Sequence, residues 1–564
     1  MNHFRRYTLA LTTGAVFCGL LLICSCKKSG TSTPTPPTPP ANFITSGWSV
    51  EDKQNLDLNT GVGFNPEIRI AFRAKLDKTT VPTAITLFNN TEGVDVAYNT
   101  SYEKSDSVVV LRPAAPLNHT NRFAVNVSDA LRSAQGGKFI GTASFSIITK
   151  IDSTAKFPLL TDNELLDKVQ QQTFKYFWDF GHPVSGLARE RNTSGEIVTT
   201  GGSGFGVMAI VTGIHRNFIT RSQGLTRMQT ITGFLKNTAQ TFHGAFPHWL
   251  NGTTGVVVPF STKDNGADLV ETSFLMAGLI SARQYFDGAD AAETNLRADI
   301  NTILDRVEWS WFRKANENVL YWHWSPNYGW DMNMAIRGWN ECLITYVMAA
   351  SSKNYSIPQA VYTNGFARSG AMQNGGNYFG INLPLGEAYG GPLFFTHYSF
   401  LGINPNGLSD AYANYQTQVV NHSKINYEHC KANPRGYYGY SASCWGLTAS
   451  DIPNGYTASS PTNDVGVIAP TAALSSFPYT PVESMQALKF FYYTLGDKLW
   501  KQYGFVDAFS LQNTWFANSF LAIDQGPIIV MIENYRSGLI WNLFTSSPEV
   551  KTGMRNLGFT APYL

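Results

Sequence analysis

Charge is scarce in this chain. Asp, Glu, Lys and Arg make up 15% of its 564 residues, and 42 basic against 40 acidic residues leave a formal charge of +2. No basic stripe or tail is present, which argues against a nucleic-acid partner. Cysteine is scarcer still, at six, too few for a disulfide framework and without zinc-ligand spacing. Beyond Ile23 no apolar run is long enough to span a bilayer. Several catalytic signatures are also missing. There is no G-x-S-x-G elbow of a serine hydrolase. Gly202-Ser-Gly-Phe-Gly206 is rich in glycine but lacks the P-loop lysine. His215, His243, His248, His323, His397, His422 and His429 contain no i, i+4 pair with an acid that would bind a metal, so neither metal nor cofactor is expected. What the chain does have is aromatic rings, 13% of residues, with 13 Trp, 26 Tyr and 36 Phe. Rigid amphipathic rings beyond the needs of a core suit stacking on sugars, although large cores also absorb them.

The length exceeds what one core usually organises, so two domains, or one large helical ring with an accessory module, are expected. The N-terminus has a basic start ending at Arg5-Arg6, an apolar run Tyr7–Ile23, then Cys24-Ser25-Cys26-Lys27-Lys28, the pattern of a secretory signal. It resembles a bacterial lipoprotein signal, with residues 1–25 removed and Cys26 acylated; Ile23 is too bulky to precede a cut at Cys24. An ordinary cleaved signal or a membrane anchor is the alternative. The expectation is a monomer in the cell envelope, tied to the outer membrane by lipid, facing the periplasm or the surface. Residues 26–41 form a tether whose Pro/Thr-rich part, Gly30–Ala41, should be extended. Of the remaining thiols, Cys430 and Cys444 are either bridged or, with Cys342, buried and free.

From residue 42 to 150 short alternating runs follow one another between turn residues. Glu67–Phe72, Ala84–Phe88, Val94–Tyr98, Ser107–Leu111, Arg122–Val127 and Ala143–Ile148 read as strands of a small β-sandwich. The segment resembles the bacterial Ig-like family, on Asn65-Pro-Glu-Ile-Arg-Ile-Ala-Phe72, Leu111-Arg-Pro113 with Leu117, and Arg122–Val127 ahead of Gly136-Gly137. No acidic pair marks it as catalytic, so a spacer or docking role is expected.

After a linker, Lys150–Leu160, the period changes at Thr161 from two to about 3.6. Thr161-Asp-Asn-Glu164 is a capping box opening a helix over Leu165–Phe180, and Thr480-Pro-Val-Glu483 is a second. Further helices are predicted over Gly204–Phe218, Gly224–Phe242, Asp268–Phe286, Ala292–Phe312, Ala335–Ser351, Ile357–Ala367, Asp410–Ala432, Pro481–Thr494, Leu499–Ala508, Pro527–Leu543 and Pro548–Leu557. About a dozen helices joined by long loops are too many for a simple bundle. A ring of helical hairpins over residues 161–564 fits better, with loops from one end around one pocket.

The acids then stand out against the low charge. Asp264, Asp268 and Glu271 are spaced by four and three, on one face if the segment is helical. They precede the apolar run Phe274–Ile280, and an acidic face on a buried helix has to line something wet. A solvated N-terminal turn is the plainer alternative. Glu341 opens another apolar helix behind the aromatic loop Tyr321–Trp330. Asp524 sits just ahead of Gly526-Pro527, and Glu533 is placed to pair with Arg536. Glycosidic bond cleavage needs one protonated carboxyl and one carboxylate in a pocket that moves their pKa values apart. Crowded acids among aromatic rings would do this.

The region from about Asn163 to Leu557 resembles the bacterial glycoamylase-like domain that includes the endo-β-1,2-glucanases of glycoside hydrolase family 144. The residues that carry the resemblance are Thr173–Asp179, Gly186–Arg191, Gly202–Met208, Phe246-Pro-His-Trp249, Asp264–Ser273, Gly338-Trp-Asn-Glu341 and Ala522–Pro527 through Glu533–Gly538. The resemblance implies an all-α (α/α)6 toroid behind the all-β Ig-like sandwich, and inverting hydrolysis of β-1,2-glucan, internally or with release of sophorose. It implies that Asp264, Asp268, Glu271, Glu341 and Asp524 lie in the pocket. Glu341 is taken as general acid and Asp524, or one of Asp264 and Asp268, as base. Trp249, Trp322, Trp324, Trp339 and Tyr389 are candidate sugar platforms, and His397 and Arg189 candidate hydroxyl ligands. A non-catalytic glycan-binding lipoprotein, and a polysaccharide lyase on the same toroid, are the rival readings. The lyase would want more bases than Arg189, Arg191 and Lys263 supply.

Overall fold

The computed structural model describes residues 38–564, so the signal, Cys26 and most of the tether lie outside the described residues. The first unit is two five-stranded sheets. One runs in the order Lys53–Gln54, Thr45–Val50, Ile68–Phe72, Val108–Pro113, Tyr98–Glu103, and the other Leu58–Val62, Ala143–Thr149, Arg122–Val127, Ile85–Asn89, Val94–Asp95. All pairings are antiparallel except Leu58–Val62 with Ala143–Thr149. Alternation explains the sandwich: in Ile68–Phe72 the first, third and fifth residues are buried, so every second side chain enters the shared core. Trp48 closes that core by stacking on Phe145 at 5.2 Å.

The linker is pinned to the second unit. Lys156 N–H donates to the Tyr493 carbonyl at 2.7 Å, and Phe157 packs on Tyr492 at 4.7 Å. The sandwich itself touches the helical unit through His119 with Asp497 at 3.0 Å and Thr91 with Thr514 at 3.2 Å.

The helices sort into two layers by burial. Thr200–His215 is buried along its whole length to Ile214, Leu269–Tyr285 as far as Ala282, and Leu343–Ser351 throughout. Ala522–Arg536 is buried from Asp524 to Asn534. A helix apolar all round belongs inside. By contrast Asp162–Trp178, Arg221–Asn237, Ala291–Asp305 and Pro548–Asn556 bury one stripe each. The inner helices pack in sequence: Thr200–His215 lies against both Leu269–Tyr285 and Ala522–Arg536, and Leu269–Tyr285 against Leu343–Ser351. Their first pair approaches closely because both carry glycine at the crossing, Gly204 facing Phe274 and Gly278 facing Gly204. Among the described residues no helix is long and apolar enough to cross a membrane.

Several local expectations need correction. Leu499–Ala508 is not a helix: Leu499 ends a short one, Trp500–Lys501 pairs with Gly504–Phe505, and just beyond the segment Phe509–Ser510 pairs with Trp515–Phe516; aromatic and β-branched residues favour such a pleat. Ala335–Cys342 is loop, with helix only from Leu343. Pro527–Leu543 is two helices, the first beginning at Ala522 and the break falling at Gly538, whose φ of 69° suits a residue without Cβ. The capping box at Thr161 is formed, whereas Thr480 makes no side-chain cap and instead meets Ser476 and Ser484. Glu533 does not pair with Arg536; it takes Arg216 at 2.6 Å, and Arg536 reaches Asp167. Cys342, Cys430 and Cys444 are all free and buried.

Glycine has opposite meanings at two helix-interior positions, and thermal unfolding can read both. A Cβ at Gly204 would run into the Phe274 carbonyl, while Gly233 has open space around it. Gly204→Ala should lower stability by about 1–3 kcal/mol through overpacking, and Gly233→Ala should raise it by up to about 1 kcal/mol. A stabilised Gly204→Ala would refute the tight crossing.

Candidate active site

The N-terminal ends of the inner helices converge on a cavity of about 490 Å³ whose lining includes Glu271, Glu341, His248, Trp249, Trp322 and Tyr398. A second cavity, of about 530 Å³, lies at the other ends of Leu269–Tyr285 and Leu343–Ser351. There the Glu549 carboxylate is tied to Arg283, so no free acid pair faces it.

Asp264 is not on the helix. It closes a turn with Ser261, its N–H donating to the Ser261 carbonyl at 3.1 Å. Asp268 pairs with His323 across a two-residue ladder and is the N-cap of Leu269–Tyr285. Its Oδ1 accepts Val270 N–H at 3.0 Å and Glu271 N–H at 2.9 Å, as an N-cap aspartate should. Its Oδ2 accepts from His248 Nδ1 at 2.9 Å. Glu271, in the first turn, reaches across to the neighbouring helix, where its Oε2 accepts Gly201 N–H at 2.7 Å. Two helix N-termini are thus held by two of the acids, the polarity that favours negative charge. Glu341 stands two residues before Leu343–Ser351, its backbone carbonyl accepting from Ser399. Asp524 lies in the first turn of Ala522–Arg536, is 2% exposed, and has its carbonyl oxygen held by Thr471 at 2.8 Å.

The acids do not share one ionisation state. Burial alone would push His248 down, but the charges of Glu271, Asp268 and Asp264 override it and raise it to about 9, so it is cationic at neutral pH. Burial also works against the Asp268 carboxylate; the hydrogen bond from His248 and the charge of His323 prevail and hold it below its usual value. Burial and then Asp268 raise Asp264 to about 7. Burial raises Glu341 to about 7, with Glu271 and Asp268 adding to it. Asp524 is pushed well up by burial and by Asp507. Among the described residues, His248, Asp264 and Asp268 form the set whose ligand atoms come within 4.8 Å of one another. A metal there would displace the proton of His248, which already supplies the positive charge.

Of the five acids expected in the pocket, Glu271 and Glu341 line the cavity, whereas Asp264, Asp268 and Asp524 are buried outside its lining. The structure separates the remaining predicted residues into two groups. Trp249 and Trp322 line the cavity, with Phe260 against Trp249 at 4.8 Å and against His248 at 4.3 Å. The others lie outside its lining. Trp339 packs on Phe400 and Tyr415, and Trp324 on Trp311 and His243. Tyr389 packs on Tyr378 at 4.4 Å. His397 is buried against Ser476 at 3.0 Å, and its pKa is driven down to about 3 by burial. Arg189 donates to the Gly195 and Phe180 carbonyls and lies over the Phe180 ring. Residues unmarked by their local pattern also belong to the site, among them Glu190, Tyr398 and Tyr456. His248 is the most consequential of these. Its one sequence signal was its place in Phe246-Pro-His-Trp249.

A raised histidine makes stability depend on pH in a defined direction. The contribution of His248 is fully present below its unfolded pKa of about 6.5 and is lost as pH rises through its folded value of about 9. His248→Gln should therefore show a shallower fall in Tm than wild type between about pH 6.5 and pH 9. Parallel curves would show that His248 is not charged in the fold.

Comparison with known proteins agrees with this architecture. The Glycoamylase (glucoamylase) family model matches residues 333–548 and the bacterial Ig-like domain model residues 49–147. An exo β-1,2-glucooligosaccharide sophorohydrolase (non-reducing end) of Parabacteroides distasonis is 42% identical over 498 residues, 82% of this chain and 67% of the relative. The endo-β-1,2-glucanase of Chitinophaga pinensis, solved with sophorotriose and glucose, is 51% identical with a TM-score of 0.70, over 72% of this chain and all of the other. A β-1,2-glucanase structure from Parabacteroides distasonis is 37% identical with a TM-score of 0.69, over 92% of this chain and 73% of that one. A helical catalytic domain of that kind, preceded by a bacterial Ig-like domain, makes this chain a glycoside hydrolase, a member of the β-1,2-glucanase family of the family 144 type.

Proposed function

We propose that the chain hydrolyses β-1,2-glucan, cutting internally or releasing sophorose, with inversion at the anomeric carbon, in a pocket at one end of an (α/α)6 toroid. The observation that carries this reading is the split among the acids. Glu341 lines the cavity with its pKa raised to about 7 by burial, so near neutral pH it keeps a proton to give. Asp268 stays ionised beside the His248 cation. Glu341 is then the general acid that protonates the leaving glycosidic oxygen. Asp524 takes the proton of the attacking water, directly or through a relayed water. Glu271, in the cavity lining, holds substrate hydroxyls, with Asp264 and Asp268 behind it fixing the charge of His248. Trp249 and Trp322 offer ring faces to the sugars. The 42% and 51% identical relatives, a sophorohydrolase and an endo-β-1,2-glucanase, support the linkage.

The chain is further proposed to be exported and lipid-anchored through Cys26, on the strength of Arg5-Arg6, the apolar run and the Cys26-Lys27-Lys28 junction. The Ig-like domain and the Pro/Thr tether would then hold the pocket away from the membrane.

Glu341→Gln keeps the shape and removes the proton. On linear β-1,2-glucan it should lower kcat by about 10²–10⁴-fold with KM little changed, and the alkaline fall in wild-type kcat should follow Glu341. Retained activity would refute its role. Reducing-end release over time, resolved by size, distinguishes a ladder from a single disaccharide, and no product from the wild type would refute the substrate. Labelled fatty acid should enter the full-length chain and not Cys26→Ala. Equal labelling of both would remove the anchor at that residue.

A further inference from the structure

Neither Asp507 nor Asp524 is in the cavity lining; Asp524 follows the lining residue Ile523 along the chain, and the carboxyls of Asp507 and Asp524 adjoin behind it. Each is 2% exposed. Asp507 Oδ1 and Asp524 Oδ2 are both sealed from solvent without a donor from any other group. The second oxygen of Asp507 accepts Asp451 N–H at 2.7 Å. The Asp451 carboxylate takes Arg191 at 3.3 Å and Ser519 Oγ at 2.5 Å, and Glu190 takes the same Arg191 at 3.0 Å. The buried phenols of Tyr398 and Tyr456 are close enough to feel the Asp524 charge, which helps to raise both. The Arg191 guanidinium is engaged by Glu190 and Asp451, so among the described residues it reaches Asp507 and Asp524 only through its field and donates to neither. Two adjoining carboxylates cannot both stay ionised in such a place.

We propose that Asp507 is a positioning residue for Asp524: the two carboxyls share one proton between Oδ1 of Asp507 and Oδ2 of Asp524, and Asp524 reacts as half of a carboxyl–carboxylate pair. This rests on the reading of Asp524 as the group that takes the water proton. At rest the charge sits on Asp507, where Asp451 N–H stabilises it, and the proton on Asp524 Oδ2. As the water O–H bond breaks, its proton goes to Asp524 Oδ1 and the Oδ2 proton passes to Asp507. The water oxygen bonds to the anomeric carbon, the glycosidic C–O bond breaks, and the leaving oxygen takes the proton of Glu341. The neutral pair then returns one proton to solvent and Glu341 regains one. Burial followed by the neighbouring charge raises both groups, Asp507 to about 7 and Asp524 well above its usual range, in keeping with a single proton held between them.

The test compares Asp507→Ala, Asp507→Asn and Asp524→Asn in the full chain on β-1,2-glucan. Without a partner, Asp524 must carry its charge unaided in a buried site. The acid limb of kcat in Asp507→Ala should therefore move up by about one pH unit, roughly a tenfold loss on that side, with KM within about twofold. The amide of Asp507→Asn can donate to Asp524 and should recover most of the shift. Acid limbs in both variants at the wild-type position would overturn the pair, whatever the loss of Tm. If Asp507→Ala does not fold, the isosteric Asp507→Asn decides through its Tm. Its fall between about pH 5 and pH 8 should be shallower than that of wild type, because no second carboxyl is forced to ionise. Parallel curves overturn the proposal. An inactive Asp524→Asn together with unmoved Asp507 limbs discards the pair alone. Full activity in Asp524→Asn discards the underlying reading of Asp524 as well.

Discussion

The contact between His248 and Asp268 is the constraint on which the site depends. Asp268 does several things at once: it caps Leu269–Tyr285, receives the imidazolium, and pairs in register with His323. Each role needs a fixed carboxylate, and a buried carboxylate stays ionised only where donors and a cation are close. Burial raises Asp264 and Glu341 to about 7, and the Asp268 charge adds to it. Burial and the ion pair together set which carboxyls hold protons.

The layering of the helices makes this possible. The inner helices are buried on all sides and so cannot be tuned by solvent; at the cavity the Asp268 side chain caps Leu269–Tyr285, and Glu271 supplies a carboxylate to the start of Thr200–His215. Glu271 bonding to Gly201 ties one inner helix to the start of the next, so the carboxylates gain backbone donors at the place where the helix dipole favours them. The close glycine crossing between the same two helices keeps those N-termini together. Packing at the crossing and electrostatics at the mouth are consequences of the same pair of segments.

The opposite wall follows a different rule. There Arg191, Asp451, Asp507 and Asp524 form a chain in which cation, hydrogen bond and shared proton succeed one another. The charge excess is absorbed by a proton where the His248 side absorbs it with an imidazolium. The Ig-like domain approaches this wall from behind, through Thr91 on Thr514, near the Trp515–Ser519 stretch that carries the Ser519 hydroxyl to Asp451. Asp497, Lys498 and Thr514 of the helical unit are thereby held against Asn121, His119 and Thr91 of the sandwich.

Much of this was legible in the linear order. The change of period at Thr161, the capping box there and the alternation within Ile68–Phe72 are local matters, and backbone propensity with side-chain spacing determines them. Glu271, Glu341 and Asp524 could be marked because acids beside long apolar runs are costly unless they meet something polar. Spacing could not assign neighbours across the fold. It sent Glu533 to Arg536 instead of Arg216, and treated Trp339, Tyr389 and His397 as site residues although each is packed among other partners. It gave no weight to His248 or Asp507, whose partners are 20 and 17 residues away along the chain and adjacent in space. The sequence by itself determined most of the helices and strands, Leu499–Ala508 and Ala335–Cys342 excepted, and which acids had to find polar surroundings. The tertiary structure alone decided which of them meet a cation, a backbone donor or another acid, because that choice is made by contacts between helices and local periodicity carries no record of it.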